Sequence, residues 1–299
     1  MSSGARKGEL TRLSGPRFPA QKYTLKPKKK LGQHFLKETK IIDQILACAN
    51  FERSSHVLEI GPGLGALTLP LAKRVQHVFA VEKDQDLARA MKKKIEAAGI
   101  DNVTIIAEDI LKFSFNELET EKNLYVIGNL PYNISSPFLE KLIQNRHHVI
   151  RAVLTFQLEF AKRLVAGPGS REYGALSVLV RYHALVSPLI EIPKEAFFPR
   201  PKVGSMVVEL DFTKPYPVKG GTEQNFRRIV RAAFSSRRKI LANSLKGSFP
   251  SLSPDYIVKC LVDCGINPRD RAERLDIDDF LRLSTVLTDP VLDKREPQC

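Results

Sequence analysis

A chain of 299 residues with 43% hydrophobic content is long enough to bury a large core and to carry a smaller second domain. No stretch reaches the ~18 consecutive apolar residues of a membrane helix, and the opening MSSGARKGELTRLSGPRF lacks the apolar segment of a secretory signal. The net charge of +14 is concentrated in two places, since residues 1–40 hold eleven Lys/Arg against two acids and residues 225–246 hold seven against none. A near-neutral body with two basic segments predicts a partner with a phosphate backbone. The four cysteines, Cys48, Cys260, Cys264 and Cys299, have no second pair at ligand spacing, which argues against zinc or a disulfide framework and for a reducing, cytoplasmic setting. A basic organellar presequence at the N-terminus is the alternative location.

Residues 1–27 are rich in Gly, Ser, Pro and Lys with no apolar periodicity, which predicts a disordered basic tail. The run Lys28-Lys29-Lys30 then leads into Leu31-Gly32-Gln33-His34-Phe35-Leu36-Lys37, an apolar hook ahead of a helix marked by Ile41, Ile42, Ile45 and Leu46. Residues 57–60 read as a buried strand, followed by Gly61-Pro62-Gly63-Leu64-Gly65 and a helix carrying Leu67, Leu69, Leu71 and Ala72. A strand, glycine turn and helix in succession make a nucleotide site in a parallel α/β sheet. Gly61 and Gly63 let the backbone approach the ligand, and the helix N-terminus favours its negative end. The next strand ends at Glu82, about twenty residues on, where a ribose-binding acid belongs. Gly61, Gly63 and Ala66 also satisfy a dinucleotide pattern, so this unit alone leaves the cofactor open.

The following strand ends the ambiguity. Residues 103–107 deliver Glu108 and Asp109 to the edge where ligands of open α/β sheets bind, and Asp109 is the better acceptor for a cofactor adenine amine. Residues 124–128 bring Asn129-Leu130-Pro131-Tyr132 to the same edge. An exocyclic purine amine is a poor nucleophile, so a site that alkylates it must hold its N–H bonds. Asn129 offers a carboxamide oxygen for one and Leu130 a backbone carbonyl for the other. Pro131 stiffens the turn that aims them, and Tyr132 lies flat on the base. Ribose acid, adenine acid and amine-alkylating corner on consecutive strand ends predict an S-adenosylmethionine-dependent methyltransferase, with no metal needed.

Further strands are expected at 152–156, 185–192 and 203–212, the last two hairpin-like, with residues 173–181 covering one face. Phe197-Phe198-Pro199-Arg200-Pro201 forms a rigid aromatic loop between them. Lys214-Pro215-Tyr216-Pro217 and Gly220-Gly221 mark a linker. Beyond it, Phe226, Ile229, Val230, Ala233, Phe234, Ile240 and Leu241 alternate with Arg227, Arg228, Arg231, Arg237, Arg238 and Lys239, as one amphipathic helix or two short ones. With Lys28, Lys29 and Lys30, these bases are the expected contacts to RNA phosphate.

GQHFL at 32–36, EIGPGLGALT at 59–68, VEKD at 81–84, EDIL at 108–111, GNLPYNISSP at 128–137 and FFPRPKVGS at 197–205 resemble the small-subunit ribosomal RNA adenine dimethyltransferases, relatives of the erythromycin-resistance methyltransferases. SSRRKILANSL at 235–245 and DRAERLDIDDF at 270–280 look like that family's helical C-terminal domain. The resemblance implies a Rossmann-like class I methyltransferase, with a mostly parallel seven-stranded sheet ending in an antiparallel hairpin over residues 28–213. A small all-α RNA-binding domain would occupy 214–299. It implies S-adenosylmethionine as methyl donor, held by His34, Leu36, Gly61, Glu82, Asp109 and Asn129, and stacking of the target base by Phe197, with Phe198 the alternative. The implied reaction is dimethylation of N6 on two adjacent adenosines in a loop near the 3′ end of small-subunit ribosomal RNA, by a monomer acting on the RNA or on the immature subunit. Rival readings are a large-subunit antibiotic-resistance methyltransferase, a non-catalytic assembly or transcription factor on the same fold, and, more distantly, an NAD-dependent oxidoreductase. The chain departs from the family pattern at His34, where Asn is frequent, and at Leu158, where Lys is common.

Overall fold

The computed structural model describes residues 27–118, 124–217 and 221–288; nearly all of the expected disordered tail, together with Gly220 and Cys299, lies outside them. A short strand, β1 (Phe35–Leu36), precedes α1 (Thr39–Ala49). Then come β2 (His56–Ile60), α2 (Thr68–Ala72), β3 (His77–Val81), α3 (Gln85–Ala97), β4 (Val103–Ile106) and β5 (Leu124–Asn129). The chain continues through α4 (Ser135–Gln144), β6 (Val149–Gln157), α5 (Leu158–Val165), α6 (Ala175–His183) and β7 (Leu185–Ile192). After β8 (Phe197–Phe198) and β9 (Ser205–Asp211), four helices follow: α7 (Glu223–Ala233), α8 (Leu241–Ser248), α9 (Pro254–Asp263) and α10 (Ile277–Val286). The basic stretch is thus two helices separated by a turn rather than one, and no described helix is long and apolar enough to cross a membrane.

The seven-stranded sheet has the order β4-β3-β2-β5-β6-β9-β7. Neighbours from β4 to β6 are parallel, while β9 is antiparallel to both β6 and β7. The expected hairpin of β7 and β9 is present, with β8 carried in the excursion between them. β8 pairs with β1 in a separate two-stranded ribbon. The central strands read as continuous apolar runs because both faces are covered. Alternation sorts their side chains: Leu58, Ile60 and Val126 join Phe113, Phe138 and Leu142 on one face, while Val57, Val78 and Ile127 join Ile45, Leu71 and Phe197 on the other.

A third apolar cluster gathers Phe226 and Ile229 of α7, Leu245 of α8, Leu261 of α9 and Phe280 of α10. Helix α6 serves two cores at once. Its Val178 and Tyr182 enter this helical cluster, and its Val180 enters the sheet cluster. Side-chain caps set the starts of several helices, with Asp84 accepting from Asp86 N–H, Thr222 from Asn225 N–H and Asp276 from Asp279 N–H.

Parallel register decides where the chemistry converges. Ile60 lies beside both Val81 and Gly128, so the residues that follow each strand emerge at one edge. A Cβ on Gly128 would stand 2.9 Å from the Ile60 carbonyl oxygen, which is backbone held in the ladder. Gly128→Ala is therefore expected to destabilise the protein by ~1–3 kcal/mol through overpacking. The reading is a lowered urea midpoint with unchanged slope; an unchanged midpoint would mean that β2 and β5 yield at this level.

Candidate active site

The glycine turn leaves β2 through Gly61, whose N–H donates to Val81 O at 2.9 Å. Gly63 has φ +56, and a Cβ there would stand 3.0 Å from the Phe35 ring, so a larger residue would meet both backbone strain and an aromatic wall. Glu82, buried just past β3, accepts from Gly63 N–H through Oε2 at 3.1 Å and from Asp84 N–H through Oε1 at 2.8 Å. One carboxylate thereby joins the glycine turn to the start of α3, and its remaining lone pairs can take ribose hydroxyls. Burial raises its pKa, and the two backbone donors oppose that rise.

Asp109 lines the same cavity together with Phe35, Leu87, Ile110 and Asn129. Glu108 is not among the lining residues. Lys83 Nζ lies 2.7 Å from Asp109 Oδ2, and Leu111 N–H donates to Oδ1 at 3.1 Å. Burial raises the Asp109 pKa, but Lys83 and Leu111 outweigh it and hold the carboxyl below the ordinary value. The group is an ionised acceptor at neutral pH, as contact with an adenine amine requires.

The hook forms a strap over this cavity. Lys28 N–H donates to Gln33 Oε1 at 2.7 Å, and Gln33 Nε2 donates to Asp84 Oδ2 at 3.0 Å. Lys28 Nζ pairs with Asp84 at 2.6 Å and Asp86 at 2.8 Å. Lys28 is therefore a latch on α3: the two acids are remote in sequence and meet it only when the strap folds over. Lys29 lies in the short turn Lys29–Leu31, and Lys30 is exposed at the cavity.

His34 lines the same cavity as Glu82 and Asp109. Its Nδ1 lies 2.7 Å from Pro199 O, and since a carbonyl only accepts, Nδ1 carries the proton. Its ring stacks on Tyr132 with centroids 5.5 Å apart and planes at 25°. Alternation in β1 turns the Leu36 side chain into the core beside Phe197 and leaves Phe35 on the cavity wall. Phe35 lies inside the quoted GQHFL motif, yet sequence reasoning passed over it.

The corner has the expected polarity. Asn129 Nδ2 donates to His34 O at 2.8 Å, which commits the donor end of the amide and leaves Oδ1 as the acceptor for a ligand. Leu130 N–H bonds to Thr155 O at 3.4 Å, and among the described residues no hydrogen bond uses Leu130 O. Pro131 continues the turn at φ −55. Tyr132 donates to or accepts from Ser205 Oγ at 2.9 Å, and burial raises the phenol pKa. Ser205, buried at the start of β9, anchors the ring that a base would stack on; only its place in the quoted FFPRPKVGS segment marks it in the sequence.

Phe197 requires a correction. The resemblance assigns it to stacking on the target base, but its side chain is 2% exposed, whereas that of Phe198 is 43% exposed. Two successive strand residues face opposite ways; the first fills the core with Leu36, and the second is exposed.

With these groups in place, the comparison with known proteins is decisive. A family model described as ribosomal RNA adenine dimethylase matches residues 24–289. The chain belongs to that family. It is 42% identical to the ribosomal RNA small subunit methyltransferase A of Desulforapulum autotrophicum over 92% of this chain and 97% of that one. Identity to the protein of the same name from Bacillus cereus is 38%, over 89% and 93%. Among solved structures, a dimethyladenosine transferase from Plasmodium falciparum aligns with TM-score 0.71 and 29% identity over 83% of this chain and 95% of that one. The 23S rRNA methyltransferase ErmE aligns with TM-score 0.66 and 24% identity over 84% and 98%, which speaks for the fold alone.

The family's basic segment is more internally engaged here than its composition suggests. Arg227 and Arg231 both reach Glu140 of α4, at 3.2 and 3.3 Å. Arg228 lies 4.0 Å over the Phe249 ring, and Arg237 donates to the Arg171 and Tyr173 carbonyls. Arg238 and Lys239 are exposed. A stretch with no acid of its own thus meets one from another helix, which local charge counting cannot register. Leu158 packs against the sheet cluster, so its departure from the family's Lys serves the core.

Glu59 was also passed over, although an acid inside the apolar run Val57-Leu58-Glu59-Ile60 is its own signal. It is 1% exposed, and its Oε2 has no partner among the described residues. Burial pushes its carboxyl up to about 7, with Thr68 opposing and Glu82 adding to the rise. For an acid whose folded pKa is raised, the stabilisation is complete below the ordinary value of 4.5 and is lost as pH rises through about 7. Glu59→Gln should therefore gain on the wild type by up to roughly 3 kcal/mol between pH 5 and 8, measured by urea unfolding across that range. A difference that does not change with pH would exclude this carboxyl as the titrating group.

Proposed function

We propose that the chain transfers methyl groups from S-adenosylmethionine to N6 of two adjacent adenosines in a loop near the 3′ end of small-subunit ribosomal RNA, twice on each base. The observation that carries this reading is the polarity of the corner. Asn129 gives its donor to the His34 carbonyl and keeps its acceptor, beside the unused Leu130 carbonyl and on the same sheet edge as Glu82. Two acceptors at a strand end match the two protons of an adenine amine.

The residues fit the donor molecule. Glu82 is a buried carboxylate with lone pairs to spare, Leu87 and Ile110 offer apolar sides for a purine, and Asp109 is held ionised. S-adenosylmethionine, when bound, supplies the methyl as part of an already activated sulfonium. Asn129 and Leu130 fix the amine so that its lone pair faces that methyl, and Tyr132, anchored by Ser205, holds the base plane. Orientation of this kind accounts for ~7–11 kcal/mol of barrier in favourable cases. The base must leave its stack to reach the corner, which costs less in a loop than in a duplex.

In this reading residues 28–213 carry the chemistry, and residues 214–299 hold RNA by shape and phosphate. Lys30, Arg238 and Lys239 meet phosphate directly. Arg227 and Arg231 exchange exposed Glu140 for it. The enzyme acts as a monomer in the cytoplasm, on the RNA or on the immature small subunit. The names of the curated relatives favour the small subunit over a large-subunit target, and the intact corner favours catalysis over a purely binding role.

Incubation with labelled cofactor and separate small and large subunits, followed by RNA digestion, should give dimethyladenosine from the small subunit alone. Label confined to large-subunit RNA would reject the choice of substrate. Asn129→Ala is expected to lower transfer by ~100-fold or more, the scale of losing one group that orients a reacting centre. Cofactor binding by that variant should be largely kept, and normal methylation by it would sink the mechanism. Glu82→Ala should weaken calorimetric binding of S-adenosylmethionine roughly tenfold or more, and an unchanged titration would remove Glu82 from the ribose.

A further inference from the structure

We propose that Lys83 is a placeholder for the cofactor's adenine amine: its ammonium occupies Asp109 in the empty site and is exchanged for the amine when the cofactor binds. The proposal rests on the reading of Asp109 as the adenine acceptor and names the group that this acceptor gives up.

The sheet brings the two residues together. β3 and β4 run parallel with Val81 level with Ile106, and Glu82 N–H donates to Ile106 O at 2.9 Å, so Lys83 and Asp109 leave neighbouring strands at one edge. Both line the cavity, with Glu82, Leu87 and Ile110. Asp109 Oδ1 accepts from Leu111 N–H at 3.1 Å, and Lys83 Nζ lies 2.7 Å from Oδ2. The oxygen that the backbone leaves open is the one the lysine takes.

An adenine amine needs that same oxygen. Glu82 directly precedes Lys83, and a ribose held on Glu82 carries its purine towards Leu87 and Ile110 with the amine at the end far from the sugar. Ammonium and amine are both donors, and their positive hydrogens repel at a shared acceptor. Lys83 is the partner that yields. Its side chain is 55% exposed, its flexible stem can carry the charge back into water, and an ammonium kept beneath a purine would lose hydration. Among the described residues Nζ makes no other ion pair.

The exchange also resolves a conflict within the empty site. Asp109 is half-buried, and burial opposes its charge, yet Lys83 holds the carboxyl ionised. The acceptor is kept charged while it waits. A ligand then trades one donor for another and does not have to ionise a partly buried acid.

The test is a calorimetric cycle with S-adenosylhomocysteine, which carries the same adenosine and has no methyl to transfer. The four proteins are wild type, Lys83→Met, Asp109→Asn and the two changes combined; methionine keeps an unbranched apolar stem without the charge. An exposed ion pair corresponds to roughly a 1.5-fold to fivefold change in an equilibrium constant, so Lys83→Met should tighten binding by a factor in that range. In the Asp109→Asn background, which has no ion pair to give up, Lys83→Met should change nothing. The gain should also shrink towards one at ~1 M salt, where charges are screened within about 3 Å. With the 6-deamino analogue of the ligand, in which hydrogen replaces the amine, Lys83 has nothing to yield to, and wild type and Lys83→Met should bind alike.

Equal or weaker binding of S-adenosylhomocysteine by Lys83→Met would overturn the exchange. So would a gain that persists with Asp109→Asn or at high salt, or that is equally large with the deamino analogue. If Asp109→Asn weakens binding while Lys83→Met has no effect, the cofactor reading stands and the placeholder alone is rejected. Binding by Asp109→Asn as tight as that of the wild type would remove Asp109 from the adenine, and the exchange with it.

Discussion

The in-step parallel register of β2, β3 and β5 is the constraint on which the rest of this molecule depends. Because Ile60 stands level with Val81 and Gly128, the glycine turn, Glu82 and Asn129 leave the sheet side by side. A shift of one residue would reverse the facing of every side chain in a strand, burying the polar ends and exposing the apolar runs. The register is held by apolar packing on both faces, so site geometry is a by-product of core formation. Gly128 marks the tightest point, where the strands approach so closely that a methyl group would meet backbone.

Around that edge the chain assembles its site from groups that restrain one another. Glu82 ties the glycine turn to the start of α3, Asp84 ties the same helix to Lys28 and Gln33 of the strap, and His34 ties the strap to Pro199 and to Asn129. Each bond is modest alone. Together they enclose a cavity that carries the Glu82 and Asp109 carboxylates, acceptors for the hydroxyl and amine groups of a ligand. The buried acids carry a consequence for stability: Glu59 and Glu82 both have raised pKa values because burial disfavours their charge. The protein keeps acids where a neutral side chain would fold more readily, a common feature of functional sites.

The second region shows how charge can serve two ends. Arginines of α7 hold α4 through Glu140, and α4 begins where the corner Asn129-Leu130-Pro131-Tyr132 ends. In the absence of RNA, the element proposed to meet it is thus tied to the helix that follows the corner. Helix α6, with one face in the sheet cluster and the other in the helical cluster, joins the two cores.

Much of this was legible in the sequence, and for reasons that can be named. The strand, glycine turn and helix, the acid at Glu82, the acid at Asp109 and the acceptor pair at Asn129 and Leu130 are local patterns whose chemistry depends on spacing along one strand end. The apolar run at 57–60 predicted a buried strand of a parallel sheet, and Pro215, Pro217 and Gly220-Gly221 marked the linker to the basic amphipathic segment. What sequence could not decide was pairing between distant segments. Whether Phe197 or Phe198 faces inward depends on the ribbon that β8 makes with β1. Whether Lys28 or Arg227 is available to a partner depends on Asp84, Asp86 and Glu140, which are brought close only by folding. Local composition determined the fold class and the chemistry of the strand ends, because those follow from residue type and periodicity. The tertiary structure alone decided which aromatic is presented, which cations are paired and how Asn129 is turned, because each is settled by a contact with a residue far away along the chain.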